Sequence, residues 1–267
     1  MFRPLLAALA LILVAPSLAA QPLVTDRPDF TESTSAVAPG RVQVETGVFV
    51  ELRRTEQVAI PNQTIVTRDR TVSLPEALVR VGVVPGLEVR LGPPSYSERR
   101  VTQDGDLPIE MGGSFWSDPS VGLKAELGRV AGADLAVIAS ATIPTSETEQ
   151  ANYATPGLIL IGGADLGSGL SLGAQVETSY ELDPEYDAGQ GTVGGTLVLA
   201  TSLNDRLGTF AEVKAETNWA GGEESALLHH GYTLIVTDDV QLDASIGVGL
   251  ARLDPDVFGG IGLSVRL

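Results

Sequence analysis

Two adjacent histidines, His229 and His230, are the only imidazoles in the chain, and there is no cysteine. Nucleophilic chemistry would therefore have to pair a serine with one of them. The spacing does not supply such a pair. On an extended strand, side chains two residues apart share a face, and no serine stands two residues from either histidine. Ser225 shares the parity of His229, but four residues of strand put it about 13 Å away. The sequence thus assigns no catalytic residue. It expects His229 to be a polar interior side chain and His230 to lie near the outer interface. A lipid-modifying enzyme is the third-ranked of three readings.

The other candidate chemistry is electrostatic. Glu45, Arg80, Glu88, Arg90, Lys124, Glu126, Glu177, Glu212, Lys214, Glu216, Asp243 and Arg266 all fall on the polar parity of alternating runs. Carboxylates, guanidiniums and ammoniums interleaved in this way would line an aqueous interior and shape what passes through it. A second group of acids, Glu147/Glu149, Asp183/Glu185/Asp187, Glu223/Glu224 and Asp254/Asp256, falls in connections between runs. Hard cations favour such oxygens, yet no segment has the spacing of a calcium loop. No metal and no cofactor are expected.

These residues are positioned by period-two patterning. From Val240 to Arg252, Leu242, Ala244, Ile246, Val248 and Leu250 alternate with Gln241, Asp243, Ser245, Gly247 and Gly249. Alternation of this kind makes a two-faced strand. Similar runs occupy 41–54, 71–84, 87–97, 118–129, 133–144, 154–166, 169–182, 190–203, 207–219, 224–237, 240–252 and 257–267, with Val198 breaking the parity of the eighth. The connections alternate in length. Pro85-Gly86, Val130–Gly132, Asp165–Ser168, Leu203–Leu207 and Asp238-Asp239 are tight, whereas Thr55–Arg70 and Gly92–Ser117 are long. Single-chain outer-membrane barrels show this asymmetry, with short periplasmic turns and longer external loops.

In hydrocarbon each unpaired backbone polar group costs several kcal/mol, so a membrane-spanning sheet must close. The last residues, Ile261, Leu263, Val265 and Leu267 alternating with Gly262, Ser264 and Arg266, form the strand that would close it. The expected fold is therefore all-β, a transmembrane antiparallel up-and-down barrel of about twelve strands. A lumen of that size is narrower than a porin channel. The glycines Gly191, Gly194, Gly195, Gly259, Gly260 and Gly262 do not lie between a strand and a helix, so they are read as relief of crowding or strand bending rather than phosphate cradles.

Residues 1–20 read as a cleaved signal peptide, with Arg3, an apolar run from Leu5 to Val14 and small residues up to Ala20. That run is shorter than the roughly 20 apolar residues a spanning helix requires. The formal charge is −17. Loss of Arg3 makes the mature chain one unit more acidic, which excludes nucleic acid as a partner. The expected location is the bacterial outer membrane. The expected partners are its lipids and lipopolysaccharide, the barrel assembly machinery and a small-molecule solute.

Between leader and barrel, residues 21–40 read as a periplasmic N-terminal segment, with the barrel proper at 41–267. Asp26-Arg27-Pro28-Asp29 is a compact charged turn in which Pro28 disfavours helix at Arg27. The segment is expected to pack against the barrel base or assist assembly, the alternative being a plug or ligand clasp at the periplasmic mouth, folded into the lumen. The stretch Thr25-Asp26-Arg27-Pro28-Asp29-Phe30-Thr31-Glu32-Ser33, followed by Pro39-Gly40 and Val42-Gln43-Val44-Glu45-Thr46-Gly47, resembles the outer-membrane transporter family of the phenol-degradation meta-pathway. The resemblance is concentrated in residues 24–47. It implies an outer-membrane barrel and passage of aromatic or other small hydrophobic compounds. The leading expectation is thus a passive small-molecule channel. The rival is a structural or adhesive barrel with a side-chain-filled lumen.

Overall fold

The computed structural model describes residues 23–58, 64–104, 108–145, 154–181, 190–219 and 224–267. The signal-peptide reading of residues 1–20 lies outside this set, as do Glu147, Glu149, Asp183, Glu185, Asp187 and Glu223. The described residues form one antiparallel sheet of fourteen strands. They are β1 (Val42–Val58), β2 (Thr64–Val84), β3 (Leu87–Gly92), β4 (Tyr96–Asp104), β5 (Ile109–Trp116), β6 (Ser120–Val130), β7 (Ala133–Thr142), β8 (Pro156–Gly167), β9 (Leu170–Glu181), β10 (Gln190–Ser202), β11 (Leu207–Asn218), β12 (Glu224–Thr237), β13 (Val240–Gly249) and β14 (Val257–Arg266).

The sheet closes because β1 pairs with β14 in an unbroken register from Gln43↔Arg266 to Leu52↔Val257, while its other edge pairs with β2. Twelve strands make the closed wall. β4 and β5 stand outside it as a hairpin that prolongs the β1–β2 ribbon, β4 pairing with the upper part of β2 and β5 with β4. The sequence reading took Gly92–Ser117 and Thr55–Arg70 for long loops. Instead β4 and β5 occupy the first, and β1 and β2 run into the second as far as Val58 and Thr64. In β4 and the outer parts of β1 and β2 both faces carry Arg, Glu, Asp and Thr, so these stretches lack the apolar parity that marks a strand, whereas β5 leaves Ile109, Met111, Phe115 and Trp116 exposed. The ladder is held by backbone pairing and by cross-strand ion pairs such as Arg99 to Asp69, 2.5 Å, and Arg68 to Asp104.

Outward side chains are apolar and bare: Leu160, Val176, Leu197, Val213, Ile246 and Ile261 are 46–65% exposed. A soluble sandwich would bury such side chains. A barrel presents them to hydrocarbon. At the loop end of the wall Trp219 meets Tyr180 at 6.1 Å, and Trp116 meets Tyr96 at 5.3 Å. The inward parity is polar and buried, with Glu45, Arg80, Glu88 and Lys124 all at 0%.

Candidate functional site

The N-terminal segment is not at the barrel base. It climbs inside the barrel and returns, threading the lumen before entering β1. Its path is fixed by main-chain donors and acceptors that meet wall side chains. The Val24 carbonyl accepts from Gln43 and Arg80, at 2.8 and 3.1 Å. Phe30 and Thr31 amides donate to Glu212, at 2.8 and 2.7 Å. On the way back the Ala36 and Val37 amides donate to Glu126 and Glu88, at 2.7 and 2.8 Å, and Gly40 donates to the Gly82 carbonyl at 2.9 Å. A side chain at position 82 would run into the Val37 and Ala38 carbonyls, so glycine is what allows the segment to lie flat on β2. An irregular segment has backbone groups that a sheet cannot satisfy. Here the wall carboxylates satisfy several of them, which explains why so many inward residues are acidic.

The twelve charged candidates all lie on the inward parity, but they divide into separate groups. The largest surrounds Asp26. Its carboxylate receives Arg90 at 2.5 Å, Lys124 at 3.0 Å and Arg80 at 3.1 Å, and Ser33 donates to it from both amide and hydroxyl, at 2.8 and 2.6 Å. Arg80 also binds Glu45 and Glu88, at 3.0 and 2.9 Å, and Arg90 grips Glu32 through both carboxylate oxygens, at 2.9 and 2.8 Å. Three buried cations thus face four carboxylates, two of which, Asp26 and Glu32, belong to the segment. Such a network holds well only while every member is present, because removing one partner strands a buried charge.

Arg27 forms a second group. It pairs with Asp243 at 3.3 Å and with Glu76 at 3.8 Å, and its guanidinium lies where side chains at Gly47 and Gly262 would be. Outside those two glycines the wall carries an apolar recess of about 620 Å³ lined by Val48, Leu74, Pro75, Leu242, Ile261 and Leu263. It sits beside the irregularity in β1–β2 pairing between Gly47 and Phe49. Pro28 and Asp29 carry the chain from Arg27 to Phe30. Toward the loop end, Lys214 pairs with Glu177 at 2.7 Å and Glu216 at 3.7 Å. Arg266 sits apart at the turn end, bound to Asp239 at 2.8 Å.

Sequence reasoning missed the apolar part of the lumen. Phe49, Phe210 and Phe258 all lie on inward parities; Phe258 and His229 receive the ring of Phe30, while Phe49 packs on Phe258 and Phe210 on His229. Phe30 lies 4.8 Å from His229 and 5.8 Å from Phe258 between centroids, and Phe210 meets His229 edge-on at 5.1 Å. Val198, whose parity looked broken, faces inward and is 5% exposed, packed over Gly173 and beside Thr31. On the β7–β8 wall Ala136, Ile138 and Ile161 form a buried cluster with Ile159 against it. The signal was available: phenylalanines and a valine stood on faces otherwise reserved for charge. Of the histidines, His229 is interior as expected. His230 faces outward midway along β12, its Nδ1 2.6 Å from the Phe210 carbonyl. Asp254 lies in a connection, as expected, but is buried, and amides of Ala226, Leu250 and Ala251 donate to it. Asp256 accepts from the Arg54 amide at 2.5 Å.

The profile of the family described as "Putative MetA-pathway of phenol degradation" matches residues 25–267. The chain belongs to this family. The match takes in the segment inside the lumen as well as the wall. No curated protein matches the sequence. Among solved structures, the chain is similar to the COG4313 outer membrane channel from Pseudomonas putida F1, with TM-score 0.63 and 12% identity over 88% of this chain and 98% of that one. It is also similar to the transport unit of the autotransporter AIDA-I from Escherichia coli, with TM-score 0.50 and 8% identity over 84% and 89%. At such identities the likeness is one of fold, that of outer-membrane barrels, and it agrees with the closed wall and bare apolar belt.

Proposed function

We propose that this barrel is a passive, non-enzymatic outer-membrane channel for small aromatic or apolar molecules, in which residues 23–40 control the passage. The observation that carries the reading is the two-sided lumen. One wall, from β1 through β6, presents the ion-paired cluster that grips the segment. The strands that complete the ring, β7, β8, β11 and β14, present Ile138, Ile159, Ile161, Phe210 and Phe258 to the interior. A barrel serving only hydrophilic solutes gains nothing from buried isoleucine and phenylalanine on its inner face, whereas an apolar solute finds there the contacts it loses on leaving hydrocarbon.

Control by the segment follows from the hydrogen bonds and ion pairs that join it to the wall, which can break with no covalent change. The experiment is reconstitution into liposomes, with flux of a graded solute panel from glycerol to phenol compared between the native protein and one lacking residues 21–40. The reading expects low flux in the native protein and a rise on deletion, larger for phenol than for polar solutes of similar size. The filled lumen also favours a structural or adhesive barrel. That reading expects both proteins to leave the liposomes closed.

A further inference from the structure

His229 is 1% exposed, and its two nitrogens fare differently. Nδ1 lies 3.2 Å from a Glu212 carboxylate oxygen. Nε2 has no hydrogen-bond partner among the described residues. With Glu212 accepting from Nδ1–H, Nε2 is left as a bare acceptor, enclosed by the rings of Phe30, Phe210 and Phe258. A buried polar atom without a partner is costly, and the atoms that close it off belong partly to the movable segment. Phe30 is only half-buried and is held on one side by ring contacts alone, with Lys214 Nζ 5.4 Å from its centroid. Beside it Thr31 donates to Glu212 from its amide at 2.7 Å and from its hydroxyl at 2.5 Å.

We propose that Phe30 and Thr31 occupy a built seat for an aromatic alcohol and act as its internal substitute, so that such a solute and the segment exclude one another. The ring of the solute takes the place of the Phe30 ring against Phe258 and His229. Its hydroxyl supplies to His229 Nε2 the donor that Phe30 lacks. Glu212, freed from the Thr31 donors, keeps the His229 tautomer that presents Nε2 as the acceptor. Binding therefore favours the released segment, because the ligand gains a hydrogen bond the internal ring cannot make, and an affinity difference between two states shifts their populations. This deepens the channel reading and rests on it.

The test uses the full chain in micelles and ¹⁹F NMR titration with 4-fluorophenol, with 4-fluorotoluene as the probe that keeps the ring and loses the hydroxyl. Phe30→Ala empties the seat. It is expected to bind 4-fluorophenol at least tenfold more tightly than the native protein and at least tenfold more tightly than it binds 4-fluorotoluene. Phe30→Ala combined with His229→Leu is expected to bind both probes alike. In the native protein, 4-fluorophenol is expected to raise hydrogen exchange in residues 23–40. Heat-modifiable gel mobility reports whether each variant keeps its barrel. A folded Phe30→Ala variant that binds no better than native, or that does not separate the two probes, overturns the proposal. Liposome flux separates the failures. Opening on deletion of residues 21–40 without probe discrimination sinks only the seat, while discrimination without opening sinks the channel and leaves the seat standing.

Discussion

Replacing Asp26 by asparagine should loosen the N-terminal segment without disturbing the wall. The carboxylate holds three cations, of which Arg80 and Lys124 are fully buried and Arg90 is nearly so, and it accepts from the amide and hydroxyl of Ser33 where the segment turns back. Asparagine has the same shape and keeps one acceptor, so packing changes little and the loss is one of charge. Removing one member of a buried ionic network costs about 3–5 kcal/mol. The lower end applies here, because Glu45, Glu88 and Glu32 still face the three cations and because the released segment leaves them to water. At about 1.4 kcal/mol per tenfold change, 3 kcal/mol moves the balance between docked and released segment by roughly two orders of magnitude. The assay is hydrogen exchange read by mass spectrometry over residues 23–40, with single-channel conductance in planar bilayers alongside it. Faster exchange confined to this segment, together with higher conductance, is the expected result. Unchanged exchange and conductance in a protein with normal heat-modifiable mobility would refute the idea that charge at Asp26 holds the segment in place.

Gly82→Val should act on the same segment from its other end, because the new side chain meets the Val37 and Ala38 carbonyls; rapid exchange at residues 36–40 is expected, and unaltered protection there counts against the packing argument. Ile261→Arg puts a charge on an outward position of the closing strand, at a cost of about 2–4 kcal/mol near the bilayer midplane, measurable as a lower urea midpoint for unfolding from liposomes and absent if that face does not meet lipid. Asp254, in the connection between β13 and β14, carries opposing influences: burial raises its pKa, but donation from the Ala226, Ala251 and Leu250 amides and from Ser225 outweighs this and holds it below the usual carboxylate range. Its contribution is therefore intact above the unfolded value near about 3.9 and is lost as pH falls through the lowered folded one. Protection of the amides at 226, 250 and 251 should persist at pH 5 and fail only well below 4, whereas Asp254→Asn should lose it at neutral pH. Lys214→Glu should shift the ion preference of the opened channel toward cations, as read by reversal potential in a salt gradient.

The wall was legible in the sequence because a strand in a membrane barrel has a fixed period and two unlike environments. Leu242, Ala244 and Ile246 against Gln241, Asp243 and Ser245 state that contrast locally, and the alternating lengths of the connections add the topology. Even the closing pair was foreshadowed by the terminal run from Ile261 to Leu267. The outer ribbon of β1, β2 and β4 was illegible for the same reason: where both faces meet water or headgroups, alternation of apolar and polar residues vanishes although the backbone ladder continues. The lumen was decided only by tertiary structure. Its contacts join residues far apart in the chain, such as Asp26 with Lys124 and Phe30 with His229, and parity tells which way a side chain points but not what it meets there. An inward charge has the same pattern whether it lines water or grips a backbone. Folding residues 23–40 into the barrel turned Glu88, Glu126 and Glu212 from candidate pore charges into acceptors for main-chain amides, and turned Val198 from a break in a pattern into a buried inward side chain.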